Sequence, residues 1–407
     1  MNLLYFLPIS ALGININGFV LGPLLIAMFG MGFYQLISRL QSKNDRYSID
    51  KTSFILIWLS IFFVFTNLGR NDVSSYILPL LAFFLLGLIA FESPKIWPHV
   101  NRDENIIKRS FWFLFYICMF EVFFSNLLPG IWNSIETSSF FSGSTNSYFG
   151  FRRIRAFTSE PSDLAKLLVL YHFLLRFYLP RIGVRSSEKE IYGNLILVAI
   201  TLSNTAILGI IMLEMAATFT RKKKSRSRFL ILTFKNVRIL AFAVLTIFVG
   251  FYFFEILFKL FERFGLIIVS LNDNIVTGSV GFRATAIIMP YIYLSEATGL
   301  NFWLGEGFSN FSEWLVLNYS HMEFSGFYQG QPGNVFSAIT LSGGVVGALL
   351  YAIFILYPFR RLDNISIIAL VFFMFLNLTS GNLTSPFYWG LISIAYGVSR
   401  VQRVKNT

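Results

Sequence analysis

"IYGNLILVAITLSNTAILGIIMLEMAATF", residues 191 to 219, lies between Arg181, Arg185 and Lys189 on one side and "RKKKSRSR" (Arg221–Arg228) on the other. Basic loops mark the cytoplasmic side of a bilayer, so a single crossing here would leave one of the two clusters outside. The stretch is therefore predicted to enter and return. At about 1.5 Å of rise per residue, each half crosses only part of a hydrocarbon core about 30 Å thick. Ser203, Asn204 and Thr205 fall at the turn. The expected result is a pair of short, broken helices whose tip sits at membrane depth, where irregular backbone persists only if protein buries it or it lines a wet cavity. Two thin but complete spans are the alternative.

The rest of the chain agrees with a membrane setting. Of 407 residues 55% are hydrophobic and only 13% charged, 48 are Phe, and mean hydropathy is +0.64, against roughly a quarter charged in an ordinary soluble domain. Further spans are predicted at Gly18–Ile37, Ser53–Leu68, Ser74–Phe91, Phe111–Leu128, Leu164–Leu179, Val237–Leu260, Val335–Tyr357, Ile365–Leu378 and Pro386–Val398. The net charge of +12 resides mainly in short linkers, such as Arg39, Lys43, Arg46 and Lys51, or Lys95, Arg102, Lys108 and Arg109. There it sets orientation and gives no reason to expect a nucleic-acid partner. The N-terminal apolar residues run on without a small-residue cleavage site, so a retained N-terminus is expected, with residues 1 to 13 as a possible further span. Cys118 is the single cysteine and lies in an apolar run, which excludes an intramolecular disulfide.

The expectation is an all-α polytopic membrane protein, one integral membrane domain over residues 1–407, with about 11 to 12 transmembrane segments. On this map residues 131–160 form an outer loop and residues 261–334 one large extracytoplasmic loop. Arg152, Arg153 and Arg155 lie in the first of these, against the rule that organises the other cations. They precede Pro161, Ser162 and Asp163, good residues for a first helical turn. A helix N-terminus beside planar, always-charged guanidinium groups suits a phosphate or pyrophosphate. The plainer account pairs Glu160 with an arginine and leaves the others on lipid head groups.

In the large loop, "SVGFRATAIIMPYIYLSEATGLNFWLGEGFSNF" (Ser279–Phe311) carries Arg283, the only Lys or Arg between Arg263 and Arg360. Ile287, Ile288, Tyr291 and Leu294 recur at helical spacing, which predicts an amphipathic interfacial helix holding Arg283 near a lipid-linked phosphate. A lone snorkelling arginine is the alternative. Glu306, Glu313, His321 and Glu323 are the loop's candidates for a general base. Phe140, Phe141, Tyr148, Phe149 and Phe151 in one loop, and Trp303, Phe308, Trp314, Tyr319, Phe327 and Tyr328 in the other, offer apolar faces for sugar rings. An ordinary interfacial aromatic belt would look the same. There is no G-x-x-x-x-G-K-[ST], H-E-x-x-H, C-x-x-C or D-x-D, so neither a metal nor a cofactor is expected. Asn377 and Asn382, in "NLTSGNLTS", read as polar turn residues.

Four places in order resemble the O-antigen polymerase and O-antigen ligase superfamily of bacterial surface polysaccharides: "RIRAFTSEPSDLA" at a helix start, "LVAITLSNTAILGIIML", Arg283 with "FWLGEGFSNF", and "GNVFSAITLSGGVVGALLY" opening the next span. The resemblance covers residues 110 to 360. It implies a helical, lipid-donor (GT-C-like) glycosyltransferase of the inner membrane, with its active site facing the periplasm. Its partners would be undecaprenyl-pyrophosphate-linked oligosaccharides, membrane lipids and a separate chain-length regulator. By position, Arg155 and Arg283 would neutralise the departing pyrophosphate, Arg152 or Arg153 would assist, Ser162 and Asn334 would contact substrate, and His321, Glu323 or Glu160 would take the acceptor's proton. Ligases usually carry a histidine before the asparagine that opens the next span; here Gly333 precedes Asn334, which favours the polymerase. Ser342 likewise stands ahead of Gly343–Gly344 where the family has an acid. The competing class is a lipid-linked oligosaccharide flippase, to which broken helices and the in-span groups Glu121, Lys166, His172, Glu214 and Glu255 are suited. No duplicated halves support it.

Overall fold

The computed structural model describes residues 3–10, 12, 14–16, 19–41, 51–67, 73–92, 100–129, 147–148, 151–152, 154–158, 161–184, 188–201, 203–220, 286, 289–308, 314–315, 333–359, 363–380 and 383–400. The predicted span Val237–Leu260, the basic run Arg221–Arg228 and most of both outer loops lie outside the described residues.

Apart from two short antiparallel hairpins, the described chain is helical. β1 (Ile14–Ile16) pairs with β2 (Phe19–Leu21), and β3 (Ser147–Tyr148) with β4 (Phe151–Arg152). The helices are α1 (Pro23–Gln41), α2 (Lys51–Asn67), α3 (Val73–Glu92), α4 (Val100–Leu127) and α5 (Pro161–Phe173). α5 continues through a π-helical turn, Leu174–Tyr178, into Leu179–Arg181. Then follow α6 (Glu188–Thr201), α7 (Asn204–Thr220), the six-residue α8 (Gly299–Leu304), α9 (Val335–Leu356), α10 (Asn364–Thr379) and α11 (Pro386–Arg400).

The sequence begins a span at Gly18, which lies outside the described residues; residues 19–21 form β2, and the helix opens at Pro23, whose fixed φ and missing N–H suit a first turn. Residues 3–9 form two 3-10 turns, with Leu3, Leu4 and Leu7 buried, in place of a further helix. The stretch 191–219 is broken where expected: α6 ends at Thr201, Ser203 stands between, and α7 begins at Asn204. Their 14 and 17 residues give about 21 and 25 Å of helix.

The bundle is assembled pairwise. α7 packs between α5 and α10, α6 lies against α5 and α4, α9 lies against α2, and α11 joins α3 to α10. Phe63, Phe83, Phe91, Trp389 and Tyr396 interlock edge-to-face at the centre, with ring centroids 4.8 to 6.3 Å apart. Buried polar groups are answered internally. Tyr351 and Tyr388 both donate to Asn377 Oδ1, while Asn377 Nδ2 donates to Phe373 O at 2.7 Å. Asn377 is therefore a core residue inside α10, where the sequence suggested a polar turn; its sequon sits on a helix end that folds inward. Arg181, at the end of α5, pairs with Asp363, which also caps α10 by accepting the Ser366 N–H.

α9 and its 3-10 extension, Val335–Phe359, form a helix long and apolar enough to cross a membrane. Pro23–Tyr34, Lys51–Asn67, Tyr76–Glu92, Thr205–Thr220 and Asn364–Thr379 are shorter apolar helices. Many helices leave one face of large apolar side chains uncovered. Phe33 and Tyr34 on α1, Phe54, Trp58 and Phe65 on α2, Tyr116 and Phe123 on α4, and Phe219 on α7 are all exposed.

Candidate functional site

The first part of the site is the turn before α5. The Arg155 N–H donates to both oxygens of Glu121 on α4, at 3.2 Å each. Thr158 closes the turn, its backbone N–H and its hydroxyl both donating to Arg155 O, at 3.1 and 2.6 Å. Phe157 N–H donates to Pro8 O at 3.0 Å, tying the turn to the N-terminal segment. Ala156 sits at φ 52°, a left-handed conformation unusual for a residue with a Cβ. The surroundings thus over-determine the backbone here, as strained backbone requires.

Arg155 is only 1% exposed. Burial pushes its guanidinium below the ordinary value and the nearby Glu121 carboxylate pulls it back up. It starts so high that it remains charged at neutral pH. A few residues on, Pro161 and Ser162 are buried at the start of α5, and Asp163 holds the buried Lys166 at 2.8 Å. Arg155 and Lys166, both largely removed from water, thus stand in the chain before and after the first turn of α5.

The second part is the junction of the large loop with α9. Asn334 is the N-cap of α9: its Oδ1 accepts the Ser337 N–H at 2.8 Å and its Nδ2 donates to Ala286 O at 2.7 Å. Ser337 Oγ donates to the same carbonyl. The segment three residues after Arg283 is thereby pinned to the start of α9. Asn334 is buried with its amide engaged in this way, so the described contacts give it a structural office.

Further along, α9 breaks at Gly344, with φ 58° and ψ −151°, and α8 packs onto the break. The two segments touch through glycine. A Cβ on Gly344 would lie 2.6 Å from Phe302 O, and one on Gly305 would lie 2.4 Å from Gly343 N. Glu306 N–H donates to Leu341 O at 2.7 Å and Gly307 N–H to Ser342 O at 3.0 Å, so the loop bonds helix carbonyls at the break. The Glu306 carboxylate accepts from Tyr293 Oη at 3.0 Å and from Asn301 Nδ2 at 3.3 Å. Phe308 then anchors the segment between Phe63 and Phe83, at centroid distances of 5.1 and 5.8 Å.

Residues 289–296 are helical, as the spacing predicts; Ile287 and Ile288 lie outside the described residues, and Leu294 packs partly against the protein. Met289 and Tyr293 point into the protein beside Leu341, and Tyr291 is 78% exposed. Of the other sequence candidates, Arg153, Glu160, Arg283, His321 and Glu323 lie outside the described residues, and Arg152 is described only as the end of β4. Reasoning from sequence left Glu121 out of the site and did not single out Glu306. Glu121 stood as one of several ionisable groups in a span, and its bond to the Arg155 turn crosses 34 positions. Glu306 stood among interchangeable loop acids; its two glycine neighbours were the available signal.

No known protein family and no curated protein sequence matches the chain.

Proposed function

We propose that the protein is a glycosyltransferase of the bacterial inner membrane, a surface-polysaccharide polymerase. It joins oligosaccharide repeat units carried on undecaprenyl pyrophosphate at the periplasmic face, without a metal. The observation that carries this reading is the buried Arg155 in an over-determined turn leading into the first turn of α5. Such a group is preorganised for a charge that appears on a leaving pyrophosphate, and a single well-placed donor of this kind contributes about 3 to 4 kcal/mol to the transition state. Arg283 would face the same group, with Arg152 or Arg153 assisting. The polytopic membrane setting is supported by the uncovered apolar faces of α1, α2, α4 and α7, by the long apolar α9 and by the basic linkers between helices. Gly333 at the position of the ligase histidine favours polymerase over ligase.

The deciding experiment incubates purified protein, in detergent with a chelator, with synthetic undecaprenyl-pyrophosphate repeat units and looks for a sugar ladder on a gel. A chelator-resistant ladder supports the proposal.

A second reading, a lipid-linked oligosaccharide flippase, draws on one observation. Glu214 on α7 accepts from His172 Nε2 at 3.0 Å and from Arg176 Nε at 3.4 Å, the latter within the π turn of α5. Ionisable groups joining two helices of a bundle, at a π turn, are common in transport proteins. Movement of repeat units across liposomes without a ladder would select that reading.

A further inference from the structure

Glu306 is held on irregular backbone against the middle of the one described helix long enough to span a bilayer. Gly344 follows Val335 by nine residues along α9, about 14 Å of helix. Residues 305–307 of the large loop therefore lie beside α9 about 14 Å along it from Val335. Irregular backbone and an ionisable side chain at such depth require either burial among partners or a water-filled cavity. The backbone has partners, in the carbonyls of Leu341 and Ser342. The carboxylate has only neutral ones among the described residues, Tyr293 Oη and Asn301 Nδ2, and it remains partly accessible.

Its position is also rigid. Gly305 and Gly344 meet where no Cβ fits, and Phe308 is locked in the aromatic core. A carboxylate oriented by two neutral donors, with lone pairs to spare and no cation on it among the described residues, can accept a hydrogen bond from a hydroxyl. Trp303, three positions earlier and 55% exposed, adds an aromatic surface of the kind that covers the C–H face of a sugar ring.

Resting on the polymerase reading, we infer that Glu306 is the catalytic base toward the acceptor sugar, and that Trp303 lies in that sugar's subsite. In the step, the acceptor hydroxyl oxygen forms a bond to the anomeric carbon of the donor chain. The bond from that carbon to the pyrophosphate oxygen breaks, and its electron pair leaves with the lipid pyrophosphate. The hydroxyl proton passes to Glu306 and is later returned to water.

The test uses the full-length protein and synthetic undecaprenyl-pyrophosphate repeat units, with kcat and KM measured across pH. Glu306→Gln keeps an acceptor for Tyr293 but cannot take a proton. It should lower kcat by about 100-fold or more, leave KM within about threefold and abolish the acid limb of the kcat profile. Trp303→Ala should raise the acceptor KM several-fold, and an unchanged KM removes Trp303 from the subsite. A wild-type ladder together with Glu306→Gln at wild-type kcat overturns the role of Glu306 and leaves the polymerase reading standing. No ladder from wild-type protein overturns both. If the Gln variant does not accumulate as folded protein, the wild-type profile decides: a kcat without an acid limb removes Glu306 from the chemistry.

Discussion

Arg155 owes its position to its own backbone: the N–H is fixed on Glu121, the carbonyl is closed by Thr158, and Ala156 is forced left-handed between them. Substitution to alanine therefore mixes two effects. It deletes a buried cation near Glu121 while leaving the Arg155 N–H on that carboxylate, so Arg155→Ala should lose stability as well as activity. Arg155→Lys is the cleaner test. It keeps the charge and most of the stem but loses the forked donor set. Thermal unfolding should stay close to wild type while kcat falls by at least about tenfold; wild-type turnover in this variant would remove Arg155 from the chemistry. Asn377 makes the opposite kind of prediction, one confined to stability. Asn377→Ala leaves the hydroxyls of Tyr351 and Tyr388 without their shared acceptor in the core. The expected loss is about 2 to 3 kcal/mol, read as a lowered melting temperature in detergent.

Most helix positions were legible from apolar runs bounded by charge. α2, α3, α10 and α11 begin and end within a few residues of their predicted spans, because a buried helix and its polar flanks are local properties of the chain. The break between α6 and α7 was legible too, from the parity of the basic loops. The break inside α9 was not. Gly343–Gly344 in an apolar run reads as a small-residue helix face, and only the arrival of Gly305 from the loop explains a left-handed residue there. Gly344→Ala should drive a Cβ into Phe302 O and strain the backbone, costing about 2 kcal/mol or more. Its expected signature is faster proteolysis at residues 299–308 with α9 itself retained. Asn334→Ala removes the cap of the same helix and the tether to Ala286. It should cost about 1 to 2 kcal/mol by thermal unfolding, with a smaller effect on residues 299–308 than Gly344→Ala.

For the molecule as a whole, the uncovered faces of the outer helices and the basic linkers make a topological prediction. Cys118 is buried, so a Cys118→Ala background should fold and supply a cysteine-free chain. In that background Lys51→Cys and Glu188→Cys should react with a membrane-impermeant maleimide only from the cytoplasmic side. Thr298→Cys and Thr384→Cys should react only from the other. Labelling of all four from a single side would overturn the orientation and, with it, the opening of the Arg155 turn and of the loop that carries Glu306 to the outer side.

The chain by itself determined what depends on composition and on local order. Apolar runs, caps and basic linkers announce the helices, the break between α6 and α7, and the helix start at Pro161 that follows Arg155. Tertiary structure alone decided which acids matter. Glu121 meets Arg155 across 34 positions, and Glu306 reaches the break in α9 across 35. Such pairings are set by how helices pack and by where two glycines let backbones touch. The glycines flanking Glu306 are a local trace, but neither pairing leaves a period or a composition in the sequence from which its partner could be read.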